Sequence, residues 1–207
     1  KLIENTSNLG YSKGFNIGID YAMNNGADYI LILNNDVRID SAALSELVNV
    51  AERSSNIGAV SGKVYFYREP NRIQTVGRFN DSITLVGKHV GMGEIDTGQY
   101  NDEKDYDFID DIFLLVKREV IEKVGSYNPD YFIYFEETDW CARIRNKGFR
   151  IVYTPLAKLW HKGSMSSGGG RNPMNTYWLE RNRYIFIRNN GSLIQWKWFI
   201  IKYYAFI

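Results

Sequence analysis

Cysteine, histidine and proline are scarce: 207 residues contain one cysteine, two histidines and four prolines. A lone Cys141 cannot close a disulfide within the chain, which excludes a disulfide-stapled scaffold and suits a reducing cytosol. Charge of one sign is also lacking. The 25 basic and 24 acidic side chains leave a formal net charge of +1, without the basic surplus of a general nucleic-acid binder. No secretory signal opens the sequence. Nor is there an apolar run of the ~20 residues that a membrane-spanning helix needs. The closest approach, "SLIQWKWFIIKYYAFI" at the C-terminus, is shorter and interrupted by Lys197 and Lys202. Internal repeats are absent, and the one biased stretch is a short Ser/Gly loop at Ser166–Gly170.

The hydrophobic fraction of 44% and charged fraction of 24% are those of an ordinary globular protein, and the length suits one large domain. Helical periodicity runs from Ser12 to about Asn24, with Phe15, Ile19, Ala22 and Met23 on one face and Asn25-Gly26 as a stop. The continuous apolar run Tyr29–Leu33 predicts a strand buried on both faces. Ser41 is a good N-cap for a helix to about Arg53 with the stripe Leu44, Leu47, Val48 and Ala51. A strand at Ile57–Tyr67 follows, and this alternation indicates an α/β, mostly parallel sheet flanked by helices. Residues 68–107, punctuated by glycines, read as irregular hairpins and loops. Order returns with a strand at Phe108–Lys117 and a short helix ended by Gly125. A helix from Glu136 to Lys147, a strand at Arg150–Pro155 and a long helix from Asn172-Pro173 to about Arg188 complete the pattern. Residues 1–190 are expected to form one domain. The aromatic and basic segment 191–207 reads equally as an interfacial helix with snorkelling lysines and as core packing against a C-terminal extension. Lys1 is not an initiator methionine, and the opening residues read as the end of a strand, so an N-terminally incomplete domain is expected.

Four stretches could carry chemistry. Asn34-Asn35-Asp36 ends the first apolar strand, where open α/β sheets bind ligands. A carboxylate there suits Mg²⁺ or Mn²⁺, which is usually held by one or two carboxylates plus substrate phosphates. The same residues also suit an Asx turn, the simpler reading when they are taken alone. Glu136-Glu137-Thr138-Asp139 places three carboxylates at the start of a helix, more than capping of its dipole requires, and could supply a general base. His161, just past a predicted strand, could bind a metal or a phosphate-bearing ligand. His89 lies among the irregular hairpins with no acidic partner nearby in sequence. "NLGYSKGFNIG" from Asn8 to Gly18 could bring backbone to an anion at a helix N-terminus, though its spacing is neither the dinucleotide fingerprint nor the P-loop.

In order, "NLGYSKGFNIGI", "YILILNND", "NPDYFIYFEETDWCARIRNKGF", "LWHKGSMS" and "YWLERNRYIFIRNN" resemble the inverting GT-A glycosyltransferases of family 2, in particular the rhamnosyltransferase-like branch. The resemblance implies transfer of a sugar from a nucleotide-sugar, of dTDP-rhamnose or UDP-sugar type, to a saccharide or lipid-linked acceptor in cell-surface polysaccharide synthesis. It implies a cytoplasmic protein at the inner face of the plasma membrane, with 196–207 as a membrane contact. Asp36 then corresponds to the surviving carboxylate of a DxD-type metal motif, with His161 as second metal ligand for Mg²⁺ or Mn²⁺. Glu137 falls on the general base, with Asp139 as the alternative and Glu136 beside it. Asn8, Gly10, Lys13, Gly14 and Asn16 match the nucleotide-contacting loop and helix. Asn34 and Asn35 are placed beside the donor, and Asp110 and Asp111 beside a donor or acceptor sugar. The rival readings are a sugar nucleotidyltransferase, which lacks its phosphate loop here, and a catalytically silent glycan-binding or scaffold domain.

Overall fold

The computed structural model describes residues 1–81, 84–85, 87–163 and 173–204. The expected Ser/Gly loop at 166–170, most of the "GSMS" match and Asn172 lie outside the described residues. In chain order the elements are α1 (Gly10–Asn24), β1 (Tyr29–Leu33), β2 (Val37–Ile39), α2 (Ala43–Glu52), β3 (Ile57–Phe66), β4 (Ile73–Thr75), β5 (Arg78–Asn80) and β6 (Gly87–His89). Then follow β7 (Lys104–Asp105), β8 (Phe113–Lys117), α3 (Arg118–Val124), α4 (Glu136–Asn146), β9 (Arg150–His161), α5 (Pro173–Asn190) and α6 (Leu193–Tyr204).

The result is a mixed α/β fold whose main sheet has the order β1-β8-β3-β9-β2, with β4 on β3 and β7 on β9. β3 and β9 are the two longest strands and pair in parallel. β1 runs the same way, because β8 lies antiparallel to both β1 and β3. The C-terminal ends of β1, β3 and β9 therefore share one edge of the sheet. β8 brings its beginning, not its end, to that edge, since Phe113 pairs with Leu33.

Alternation within each strand divides the apolar residues between two cores. Ile30, Ile32, Leu114, Val116, Ile151 and Tyr153 enter the one that packs with α1, α3, α4, α5 and α6. Phe113, Leu115, Val60, Val64, Val152 and Leu159 face α2 on the other side. Burial on both faces explains why β1 reads as a continuous apolar run.

Three local expectations need correction. Ser41, the expected N-cap of α2, is not the cap: Ala42 holds that position with no side-chain cap bond, and Asp40 Oδ1 accepts the Ala42 N–H at 2.9 Å in the turn that leads in. The buried stripe accordingly takes in Ala43 and Val50, and Leu44 is exposed. The strand expected from Phe108 begins only at Phe113, so Asp110 and Asp111 stand in the loop before β8. β9 does not stop at Pro155 but runs on to His161. Its pairing to β3 jumps from Gly62↔Thr154 to Lys63↔Lys158, and Pro155 falls in the skipped stretch, where a missing N–H costs no ladder bond.

α6 lays Phe199 into the main core with Trp196, Ile200 and Tyr203 packed beside it. Its opposite face exposes Leu193, Ile194, Trp198 and Ile201. No helix among the described residues is long and apolar enough to cross a membrane.

Candidate active site

At the C-terminal end of β1 the ladder continues one bond further, the Asn34 N–H donating to Ile112 O at 3.4 Å. The chain then turns into β2, whose first residue, Val37, pairs with His161 at the end of β9. Two segments 125 residues apart thereby place the His161 Nε2 3.2 Å from Asp36 Oδ1. Gln74 Oε1 lies 3.0 Å from His161 Nδ1, and Asn34 Nδ2 lies 3.2 Å from Nε2. This network selects the tautomer with its proton on Nδ1, donated to Gln74, and Nε2 accepting from Asn34. Asp36 Oδ1 lies beside the same Nε2, and a divalent cation that took the Nε2 lone pair over from Asn34 would meet a nitrogen and an oxygen donor there. Asn35 is exposed.

Beside it lies a cleft of about 460 Å³ with one wall from α5, where Leu179, Phe186 and Ile187 are apolar and Arg183 is charged, and one charged wall. The charged wall is assembled from three parts of the chain. Asp110 and Asp111 precede β8, Glu136 and Glu137 open α4, and Arg78 and His89 come from the β5–β6 hairpin. Ligand oxygens of Asp111, Glu136 and Glu137 lie within 4.8 Å of one another, a grouping that could also hold a cation. Arg78 sits against the cluster, its Nη2 2.5 Å from Glu137 Oε1 and its Nε 3.3 Å from Asp110 Oδ1. Burial works against the charge of this guanidinium, but Asp110 and Glu137 outweigh it and hold Arg78 ionised. The Tyr127 hydroxyl donates to Asp111 Oδ2 at 2.8 Å, and Thr138 Oγ1 donates to Glu137 Oε1 at 3.1 Å.

Electrostatics differentiate the carboxyls. Burial first, and then the charges of Glu137 and Asp111, pushes Glu136 well above the usual carboxylate range. Its Oε2 is buried and has no hydrogen-bond partner among the described residues. Asp111 is raised as well, by burial and by the charge of Glu137. The Tyr11 phenol on α1 is pushed far up by burial and by Asp111. Burial lowers His89, and Asp110 opposes that shift.

The backbone that presents Glu136 and Glu137 is strained. Tyr134 and Phe135 have φ of 71° and 73°, two successive non-glycine residues in the left-handed region. Each costs on the order of 1–3 kcal/mol, a cost that persists only where surrounding structure enforces it.

Asp139 does not join the cluster. It lies buried on another side of α4, bound to Arg143 Nε at 2.7 Å and to Asn190 Nδ2 at 2.9 Å. Of the N-terminal stretch, Asn8 accepts the Gly10 N–H at 3.0 Å, and Lys13 is exposed. A Cβ at Gly14 would meet nothing within 4 Å, so this backbone stands open to an approaching ligand. The Asn16 amide is committed to Tyr127, donating to its carbonyl at 2.8 Å and accepting from its N–H at 3.0 Å. Gly10 has φ 78°, and a Cβ there would fall 2.5 Å from Phe132 O, so only glycine fits this contact between α1 and the segment before α4.

Sequence reasoning missed Arg78, Tyr11 and Tyr127. Arg78 lies in the stretch read as irregular, with no motif around it; the signal available was that three clustered carboxylates require a cation. His89 does have an acidic partner. Asp110 Oδ2 lies 3.5 Å from its Nδ1, brought there by the sheet rather than by sequence proximity.

Residues 1–125 match the family Glycosyl transferase family 2. The chain is 25% identical over 187 residues to the low-salt glycan biosynthesis hexosyltransferase Agl10 of Haloferax volcanii, covering 88% of this chain and 58% of that protein. It is 24% identical over 198 residues to the dTDP-rhamnosyl transferase RfbF of Shigella flexneri, covering 88% and 61% respectively. The chain thus spans about three fifths of the length of these relatives. The crystal structure of GalNAc-T7 with UDP, GalNAc and Mn²⁺ superposes with a TM-score of 0.66 at 11% identity, covering 90% of this chain and 36% of that one, which shows a shared GT-A fold. On the family match over more than half of its length, the chain belongs to glycosyl transferase family 2.

Proposed function

We propose that the protein transfers a sugar from a nucleotide-sugar donor, of dTDP-rhamnose or UDP-sugar type, to a saccharide or lipid-linked acceptor with inversion at the anomeric carbon. The observation that carries the reading is the convergence of the Asp36–His161 pair and the Glu137 cluster on one edge of the sheet. Asp36 and His161 would hold Mg²⁺ or Mn²⁺, which when bound neutralises charge on the departing diphosphate as a Lewis acid. The matched N-terminal stretch, with Lys13 and the open backbone at Gly14, together with Asn34 and Asn35, would face the donor nucleotide, and Gly10 would shape it by closing on Phe132. Asn8 supports that loop, and Asn16 ties α1 to Tyr127.

Arg78 and Thr138 both bond Oε1 of Glu137, which leaves Oε2 to take the proton of the acceptor hydroxyl. As that proton leaves, the acceptor oxygen bonds to the anomeric carbon. The bond to the diphosphate breaks on the opposite face, and its electron pair departs with the nucleoside diphosphate. Asp111 and the unpartnered Glu136 Oε2 supply polar contacts for sugar hydroxyls. The apolar side chains of Leu179, Phe186 and Ile187 suit the apolar face of a sugar ring or the start of a lipid aglycone. The exposed Ile194, Trp198 and Ile201 of α6, with Lys197 and Lys202 among them, support work at an anionic membrane surface on the cytoplasmic side. The same surface would bring the protein to acceptors for cell-surface polysaccharide.

The test is release of nucleoside diphosphate by the full-length protein with Mn²⁺ and a panel of nucleotide-sugars. Wild type should turn over, whereas Asp36→Ala and Glu137→Gln should each lose about 10²-fold or more. Unchanged turnover in both variants would overturn the assignment. Saccharide binding without turnover on any donor would favour a silent glycan-binding domain instead.

A further inference from the structure

The left-handed turn before α4 is gripped from outside at successive carbonyls, and one side chain makes two of those contacts. Asn182 of α5 is fully buried, with Nδ2 donating to Ile133 O and Tyr134 O, both at 2.8 Å. On the same segment the Tyr11 N–H of α1 donates to Phe132 O at 2.6 Å. The next carbonyl, Phe135 O, is taken by α4's own first helical bond, from the Asp139 N–H at 2.8 Å. Asn182 is the one side chain among these donors, and its two amide hydrogens match the two carbonyls it meets. Its orientation is set in turn by Arg181, whose Nη1 donates to Asn182 Oδ1 at 2.7 Å and to Asp130 O at 2.9 Å. Arg181 also lies over the Trp178 ring, which stacks on Phe132.

We propose that Asn182 is a positioning residue for Glu137: its amide holds the Tyr134–Phe135 turn in the shape that aims both glutamates into the cleft. The proposal rests on the reading of Glu137 as the base. The two left-handed residues have an easy extended alternative, and relaxing to it would rotate the first turn of α4. Glu137 would then leave Arg78 and the acceptor side of the cleft. Asn182 touches no group that reacts; it acts through the backbone it holds. A one-ångström displacement of a base is enough to cost about 100-fold in rate. No local feature of the sequence announces this role, because Asn182 follows Ile133 by 49 residues.

Asn182→Asp keeps the shape and replaces the donor by a carboxylate oxygen facing two carbonyls. The expected result is a fall of about 100-fold in kcat, with the donor KM within about threefold of wild type. Amide hydrogen exchange, which needs no substrate, should accelerate across 134–138 while the strands keep their protection. Arg181→Met, nearer the surface, loses the bonds to Asn182 Oδ1 and Asp130 O and the cation over Trp178, but leaves the Asn182 amide in place. It should fall by a smaller factor, about 10-fold, and it carries the test if Asn182→Asp does not fold. A lower Tm with unchanged kcat, or exchange at 134–138 equal to wild type, would overturn the proposal in favour of a purely structural amide. Wild type without turnover on any donor would overturn the reading of Glu137 as base, and the exchange rates would still decide the clamp.

Discussion

Glu137 and Asp139 stand two positions apart on α4, yet their side chains serve different parts of the molecule. Glu137 faces Arg78 across the cleft, whereas Asp139 is sealed against Arg143 and Asn190. The expected consequence is a double dissociation. Glu137→Gln should lower turnover by about 10²–10⁴-fold with a smaller loss of stability than Asp139→Asn, because Asp110, 3.3 Å from Arg78 Nε, still faces that guanidinium. Asp139→Asn should cost about 3 kcal/mol of stability, read by denaturant unfolding, because it removes one partner of a buried ion pair. Its turnover per folded molecule should change less than tenfold. The reverse pattern would make Asp139 the base. Among single residues, Asp36, His161 and Glu137 were named as candidates through the ordered motifs and the resemblance that they carry. Arg78 and Asn182 were not, because their roles depend on what the fold sets opposite them.

Helices and strands followed from period and punctuation wherever those were strong. The apolar run at β1 and the Asn25-Gly26 and Gly148 stops agree with the observed boundaries to within a residue or two. Expectations failed where tertiary pairing overrode a local signal, as at Pro155, which a bulge in β9 accommodates. Two predictions belong at this scale. Gly10→Ala places a Cβ 2.5 Å from Phe132 O at a positive φ and should destabilise the protein by at least about 2 kcal/mol. Thermal unfolding checks this, and a neutral substitution would mean that α1 is free to shift away from Phe132. On α6, Phe199→Ala should cost about 3–5 kcal/mol, since that ring is buried in the main core. Ile194→Gln, on the exposed face, should change stability by less than about 0.5 kcal/mol. Equal losses from the two would contradict the observed packing of this helix.

At the scale of the whole molecule, the deepest charge outside the cleft is Lys63 of β3, bound to Asp96 Oδ2 at 2.8 Å and to Asn101 Oδ1 at 3.0 Å. Burial opposes ionisation of Asp96, but hydrogen bonds from Lys63, Tyr65 and the Gly98 N–H outweigh it and hold the carboxyl at about 2. Because the folded value is depressed below the ordinary 3.8, the pair contributes stability that is fully present above about pH 4. That stability is lost as pH falls towards 2. Asp96→Asn should remove this acid limb from the stability–pH curve and cost about 3 kcal/mol at neutral pH, since it leaves the ammonium buried without its carboxylate. An unchanged acid limb would assign the acid sensitivity to other carboxyls.

By itself the sequence determined the α/β class, most of the helices and strands, the family resemblance and the residue types available for metal and proton chemistry. These depend on hydrophobic period, turn residues and ordered motifs, all of which act over a few neighbours. Only the tertiary structure decided that β8 enters antiparallel and delivers Asp110 and Asp111 to the ligand edge. It brought His161 to within 3.2 Å of Asp36, a pairing the resemblance implies, and it alone set Arg78 against Glu137 and Asn182 against the turn before α4. Those pairings join residues tens to more than a hundred positions apart. Strand order and helix packing bring them together, and no local pattern records either.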